Sequence, residues 1–182
     1  MKILSLVLPA LVALAPLPAG AAQLLVQFAG GIGAIPISTV SVTGTTTTVT
    51  RNIVRGVQSP NQIWTIADLK ANVMVDGRIK VDGRGLVFAG GDTIGTANGT
   101  IGSGGNPVIN VIATLICETP TPFIEHSTDP KGVPLAENGD FTIDDVLSDF
   151  LGVSQSNCAT PVLLIRNAGN LNWFAAGIQK FD

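Results

Sequence analysis

Apolar and polar residues alternate along much of the chain, and the alternation is clearest between Ile63 and Phe88. Every second residue from Leu69 to Val75 is apolar, which is the period of a strand with one buried face. Ile79 and Val81 repeat the pattern after an Asp-Gly pair, which is a strong hairpin signal. The stretch therefore predicts a long β-hairpin, and the rest of the chain predicts strands arranged around it.

The register of this hairpin follows from which residues share a face. A two-residue loop would place Val75 opposite Arg78 and mix apolar with charged side chains on one face, which is costly. A three-residue loop that ends at Gly77 instead pairs Val73 with Ile79. Its third position is left-handed, and glycine adopts that conformation without a Cβ clash. We therefore expect a bulged turn with a positive φ at Gly77.

Other apolar runs predict the remaining strands, about eight in all. The most apolar is 108–117, VINVIATLIC, which is typical of a central strand covered on both faces. Residues 119–140 are punctuated by proline and predict an excursion with little regular structure. Segment 143–151 has helical spacing but follows a strand-like start at Phe141, so helix and strand both stay open.

Two low-complexity segments have structural and functional interpretations. Thr43 to Val49 predicts a polar strand, or a strand with a loop inside it. An O-glycosylated linker or a flat threonine face that binds an ordered ligand would need more threonine. The Gly-rich stretch 89–106 lacks a phosphate-loop pattern and predicts a connection between strands. It contains Asn98 in an Asn-Gly-Thr glycosylation sequon, which would be used only in a eukaryotic source.

The pattern as a whole predicts an all-β fold, a single immunoglobulin-like antiparallel β-sandwich formed by residues 23–182. Residues 1–22 predict a secretory signal peptide, because Lys2 precedes a short apolar run and the exit residues include Gly20 and Ala22. An uncleaved membrane anchor is the alternative, but the run is short for a bilayer and contains prolines. The protein is therefore expected to be secreted, to the extracellular space or the periplasm.

Charge and cysteine content narrow the choice of partner and compartment. The formal net charge is −3, and loss of Lys2 with the signal would change it to −4. No basic cluster occurs, so nucleic acid is not expected as a partner, and no segment after the signal predicts a membrane span. Cys117 and Cys158 predict a disulfide in an exported chain, with two buried thiols or a redox pair as alternatives; no Cys-x-x-Cys motif is present.

Residues that could carry chemistry are sparse. His126 is the only histidine, its Ser and Asp neighbours lie in the same segment, and no Gly-x-Ser-x-Gly elbow occurs, so we expect a solvated loop histidine. Neighbouring carboxylates such as Asp144, Asp145 and Asp149 do not form a calcium-loop pattern. Trp64 and Trp173 are expected to anchor the core. The sequence thus predicts no catalytic residue, metal site or cofactor.

Several short motifs occur in order between Gly56 and Phe174: Trp64-Thr65-Ile66, Asp76-Gly77-Arg78, Arg84-Gly85-Leu86-Val87, Asn106-Pro107-Val108, Ile116-Cys117, Cys158-Ala159-Thr160-Pro161 and Trp173-Phe174. This set resembles a family of small exported proteins, mostly bacterial with some fungal members, that has no assigned function. The resemblance implies a compact secreted β-domain with a cysteine pair, and it transfers no catalytic residues.

The function expected from these observations is that of a secreted, non-catalytic protein that binds an unknown protein or surface partner, or builds a surface structure. One alternative is a secreted hydrolase whose carboxylates converge only in the fold, since such acids can be distant in sequence. Another is a homo-oligomer or fibre component, which the apolar composition and the few charges favour.

Overall fold

A computed structural model describes residues 23–97, 109–118, 123–154 and 156–181. The predicted signal peptide 1–22 and the sequon at Asn98 lie outside these residues. The described residues form strands and no helix. The strands are β1 Leu24–Gly33, β2 Ile37–Thr43, β3 Thr46–Arg51, β4 Ile53–Val54, β5 Val57–Gln58, β6 Trp64–Thr65, β7 Asp68–Met74, β8 Arg78–Arg84, β9 Val87–Phe88, β10 Asn110–Glu118, β11 Ile124–Ser127, β12 Val133–Pro134, β13 Phe141–Val146, β14 Ala159–Asn167 and β15 Trp173–Gln179.

Most of these strands belong to one antiparallel sheet with the order β11-β10-β14-β15-β1-β7-β8-β13, and β12 pairs with the start of β10. The sheet is curled, so its two ends meet. The Ser148 amide after β13 donates to the Ser127 carbonyl of β11 at 2.8 Å, and the Asp129 amide donates to Asp145 Oδ2 at 2.8 Å. The all-β prediction is confirmed, whereas the immunoglobulin-like sandwich and the single-domain boundary stay predictions.

Strand β10 is buried on both faces, as its apolar run predicts. Ala113 and Leu115 on one face and Thr114 and Ile116 on the other are all inaccessible to solvent. Its neighbour β14 pairs with it from Val111 to Glu118 and contributes the equally buried run 163–165. A strand covered on both faces needs a continuous apolar run, and these two strands supply it.

The central hairpin has the predicted register. Val73 pairs with Ile79, and Gly77 has a φ of +86°. The apolar residues from Leu69 to Val73 and from Ile79 to Val81 are buried, and the charged residues that alternate with them are exposed or half-buried. The strands on either side of this hairpin, β6 and β9, also pair with each other and form a separate two-stranded sheet. In that sheet Trp64 pairs with Phe88.

The turn of this hairpin also holds an ion pair. Arg78 donates to Asp76 from its backbone amide at 3.2 Å and from Nε at 2.8 Å. Desolvation acts to raise the pKa of Asp76, but the hydrogen bonds and charge of Arg78 outweigh it, so this pKa lies below its ordinary value. The small contribution of this pair to stability is therefore present above the ordinary carboxyl range and is lost as the pH falls through the lowered pKa.

Both tryptophans are core residues, as predicted. The ring of Trp64 stacks on Phe174 at a centroid distance of 4.0 Å and also contacts Phe88. Trp173 is buried to the same extent. β1 passes close to this cluster at Gly33, where a Cβ atom would lie 2.0 Å from the Trp64 carbonyl oxygen. Only glycine permits that approach.

The predicted disulfide is present between Cys117 and Cys158, with their Cα atoms 4.6 Å apart. It joins the end of β10 to the residue that precedes β14, next to a register shift between Ile116 and Glu118. The bond therefore closes the end of the sheet's most deeply buried strand pair.

Two expectations for the second half of the chain concern local structure. Residues 119–140 were expected to have little regular structure, and the described part, 123–140, contains the two short strands β11 and β12, which both pair with β10. Segment 143–151 begins as strand β13 and continues as turns, not as a helix. The part of the chain that the structure describes also contains no helix with the length and hydrophobicity to cross a bilayer.

Replacing Gly77 by alanine should destabilise the fold by roughly 2–3 kcal/mol, because it forces a non-glycine residue into the left-handed region and places a Cβ 2.9 Å from Phe150 Cβ. Gly56 is a matched control, since its φ is +87° and nothing lies within 4 Å of its Cβ position. Gly56→Ala should lose only the conformational part, about 1–2 kcal/mol. Urea unfolding would compare the variants, and equal losses would show that Phe150 does not fill the space at Gly77.

Removing the disulfide with Cys117→Ser and Cys158→Ser should lower the free energy of unfolding by about 4 kcal/mol in the chain-entropy model. For a chain of this size that corresponds to a decrease in Tm of roughly 8–16 °C. Adding reductant to the wild-type protein should lower its Tm by the same amount as the double substitution, as measured by thermal unfolding. No change in Tm on reduction would contradict a stabilising bond at this position.

Candidate functional site

Strands β2 and β3 form a hairpin that we call the arm, Ile37–Arg51. It is a two-stranded sheet of its own, and neither outer edge pairs with another strand in the described ranges. All residues of both strands are exposed except Arg51, which is half-buried. The threonine-rich segment 43–49 is not one continuous strand: β2 ends at Thr43, Gly44 and Thr45 form the turn, and β3 begins at Thr46, which matches the predicted alternative of a strand with a loop inside it. Among the described residues, no other strand pairs with the arm.

The two faces of the arm differ in chemistry. Directly opposed residues share a face. The pairs Val40–Val49 and Val42–Thr47 form one face, and their valines are 51–68% exposed. Hydroxyl side chains form the other face, from the pairs Thr39–Thr50, Ser41–Thr48 and Thr43–Thr46. The arm therefore has the amphipathic pattern of a half-buried hairpin, with its apolar face open to solvent.

The base of the arm is held by hydrogen bonds to the segment that follows it. The Pro36 carbonyl accepts from the Asn52 amide at 3.0 Å and from Ser59 Oγ at 2.9 Å. The Arg51 guanidinium donates to Asn61 Oδ1 at 2.7 Å and to the Ser59 carbonyl. Since Ser59 is fully buried, the arm starts from a fixed point on the body.

Beyond its base, from Thr39 to Thr50, the arm lacks the features that usually protect a free strand edge, namely charge, proline and bulges. Residues 37–50 contain no charged side chain and no proline. The pairing is irregular only between Ile37 and Thr39, near the base. An isolated two-stranded hairpin is only marginally stable in water, so the arm has much to gain from further contacts.

A second candidate is an open groove of about 360 Å³ beside the disulfide, which we call the histidine groove. Its lining combines apolar and polar side chains, among them Ile124, His126, Asp149, Leu151, Val153 and Asn157. β11 supplies Ile124 and His126, and the turns after β13 supply the other four. Cys117 of the disulfide forms part of the wall.

His126 is not a solvated loop residue, and that expectation is wrong. It lies on β11, is only 4% exposed, and its Nδ1 is 3.0 Å from the Ser148 carbonyl oxygen. Its ring meets the ring of Phe150 edge-on at a centroid distance of 4.9 Å. No local alternation locates it, because β11 spans only Ile124–Ser127 and Ile124 is exposed; the pairing with β10 is what places His126 in the core.

A third candidate is a second groove, of about 400 Å³, whose lining includes two carboxylates, Asp82 and Asp140. Both oxygens of Asp140 are engaged: Oδ1 accepts from the Gly85 amide at 3.0 Å and Oδ2 from Asn138 Nδ2 at 2.8 Å. Asp82 pairs with Arg84 at 3.2 Å. These bonds fix the turn before β13 against β8, so this pair of acids fits a structural role better than the predicted alternative of a hydrolase.

The other candidate groups are not brought together. Within residues 23–97, 109–118, 123–154 and 156–181, no three His, Cys, Asp or Glu side chains lie close enough to share a metal ion. Asp145 is used to hold the Asp129 amide, and Asp144 lies 4.0 Å from Lys80 on the exposed side of β13. Of the neighbouring acids Asp144, Asp145 and Asp149, only Asp149 lines the histidine groove.

Comparison with known proteins finds no matching family model, no matching curated protein and no matching solved structure. The resemblance to a family of small exported proteins therefore stays a prediction. The functional argument for this chain consequently starts from the arm and the grooves themselves.

Proposed function

We propose that the protein is a secreted, non-catalytic β-protein that assembles with further copies of itself through the apolar face of the arm. The single observation that carries this proposal is the arm's valine face, which lies open to solvent on a strand pair with no charged residue from Ile37 to Thr50. The remaining sheet acts as the body that presents the arm.

The exposed valines mark a surface that gains from being covered. Single apolar residues on a surface are ordinary, but an aligned set on one face of a strand pair is characteristic of an interface. Val40, Val42 and Val49 each retain half or more of their accessible surface. Burying that remainder contributes about 1 kcal/mol per side chain.

A second copy is the partner that best fits the chemistry of the arm. Two arms can meet without like-charge repulsion, because residues 37–50 are uncharged. A symmetric contact places the same valine face on both sides of the interface, so the surface is complementary to itself. The free outer edges then allow further strands to add, which links the dimer to the predicted fibre or surface component.

The compartment and the fold class belong to the same proposal. A disulfide between Cys117 and Cys158 is compatible with an oxidising compartment and therefore with secretion. An immunoglobulin-like sandwich is the finer form of the all-β class that we propose, and an experimental structure would test it. Catalysis is not part of the proposal, because Asp140 already holds a turn and Asp82 already pairs with Arg84.

The contact should be weak, with a Kd between about 1 µM and 1 mM, because a few half-exposed valines must offset the loss of translational freedom. Sedimentation of residues 23–182 from low micromolar to millimolar concentration should show reversible association. Replacing Val40 and Val49 by lysine should weaken it at least tenfold, since four charges would then face each other in a dimer.

The matched control changes the opposite face of the same strands. Thr39→Lys with Thr48→Lys introduces the same charge on the hydroxyl face and should leave the dimerisation constant within about threefold, since these lysines point to solvent in the proposed contact. Equal weakening by both pairs would show that the valine face is not the interface. A wild-type protein that stays monomeric up to millimolar concentration would overturn the proposal.

A further inference from the structure

We propose that the histidine groove binds a small organic cation, a primary ammonium group carried on an apolar body. The groove is built from β11 and the turns after β13, so this inference does not depend on the arm. It rests on the hydrogen bond that fixes the tautomer of His126, on the charge of Asp149 and on the apolar side chains that line the same groove.

His126 lines the groove and keeps one acceptor nitrogen without a partner among the described residues. Its Nδ1 lies 3.0 Å from the Ser148 carbonyl oxygen, which can only accept, so Nδ1 carries the proton and Nε2 of the neutral ring has a free lone pair. Among the described residues, Nε2 has no hydrogen-bond partner, and the buried side-chain nitrogens without a partner are Arg51 Nε and Trp64 Nε1. His126 itself lines the groove, so Nε2 is the acceptor that this residue has left for a ligand.

Packing holds this nitrogen in place. Only 4% of the His126 surface is exposed, and the edge-on contact with Phe150 fixes the plane of its ring. An acceptor whose orientation is fixed before the ligand arrives loses little entropy on binding. A buried polar side chain with one unused acceptor is also uncommon in proteins, since such atoms are usually paired.

Asp149 adds a negative charge to the same groove. It has a φ of +51°, a left-handed conformation that aspartate adopts more readily than most residues. The carboxylate and the imidazole acceptor both complement a hydrogen-bond donor, and a carboxylate selects a positively charged one. The groove thus offers two acceptors to an ammonium group and no cationic side chain among its described lining residues.

Apolar side chains provide the rest of the lining. Ile124 and Val153 line the groove, and Leu151 beside them is 99% exposed, so it can close over a ligand. A volume of about 360 Å³ lies at the lower end of small-molecule sites and suits a body of one ring or a short chain. An apolar body attached to an ammonium head matches this combination of walls and acceptors.

The single histidine makes the test direct, because its ring signals in an NMR spectrum of residues 23–182 belong to one residue. Titration with phenethylamine as its ammonium ion should shift the His126 ring signals saturably, with a Kd near or below about 1 mM for a ligand of this size. The neutral probe 2-phenylethanol should bind at least threefold more weakly, and the anion phenylacetate at least tenfold more weakly.

Two variants separate the groove from a general charge effect. Asp149→Asn keeps the side-chain shape and the tolerance for a positive φ but removes the charge, so it should weaken phenethylammonium binding about tenfold. Asp144→Asn removes an equal charge from the exposed side of β13, outside the groove, and should leave the affinity unchanged. Unshifted His126 signals, equal affinity for phenylacetate, or equal effects of the two variants would each overturn the proposal.

Discussion

The pairing of β10 with β14 is the interaction on which the rest of the sheet depends. These strands are the only long ones in the described ranges whose central residues are buried on both faces, and the disulfide closes one end of the pair. One neighbour on each side continues the sheet, β11 next to β10 and β15 next to β14. Because these two strands have no solvent side, both of their faces contribute apolar side chains to the core.

The face of β10 that carries Thr114 is polar at that residue, and its contacts there help to position the strand that carries His126. Thr114 is fully buried and exchanges a hydrogen bond with Ser127 of β11 at 2.9 Å. Arg166 of β14 lies across the same face and pairs with Glu125 at 2.6 Å. Since an unpaired buried charge is strongly destabilising, these contacts hold β11 on the edge of the sheet and so position His126 on its opposite face.

Local sequence pattern predicted the elements whose own residues carry the signal, as side-chain alternation or as a continuous apolar run. The β7–β8 register followed from side-chain alternation and one glycine, and the burial of β10 followed from its continuous apolar run. β11 and β12 were missed, because their partner β10 is needed to make strands of a proline-containing segment. The openness of the arm was missed for a similar reason: Val40 and Val42 alternate like half-buried residues, and no local signal tells whether another layer covers them.

The central claim is that a stable, disulfide-closed sheet presents an arm whose protection depends on other copies. Amide hydrogen exchange of residues 23–182, measured at low micromolar and at near-millimolar concentration, tests both parts together. Amides of β10 and β14 should exchange slowest at both concentrations, while those of the arm should exchange rapidly when dilute and more slowly when concentrated. An arm as protected as β10 in dilute solution, or an arm whose exchange is independent of concentration, would contradict the account.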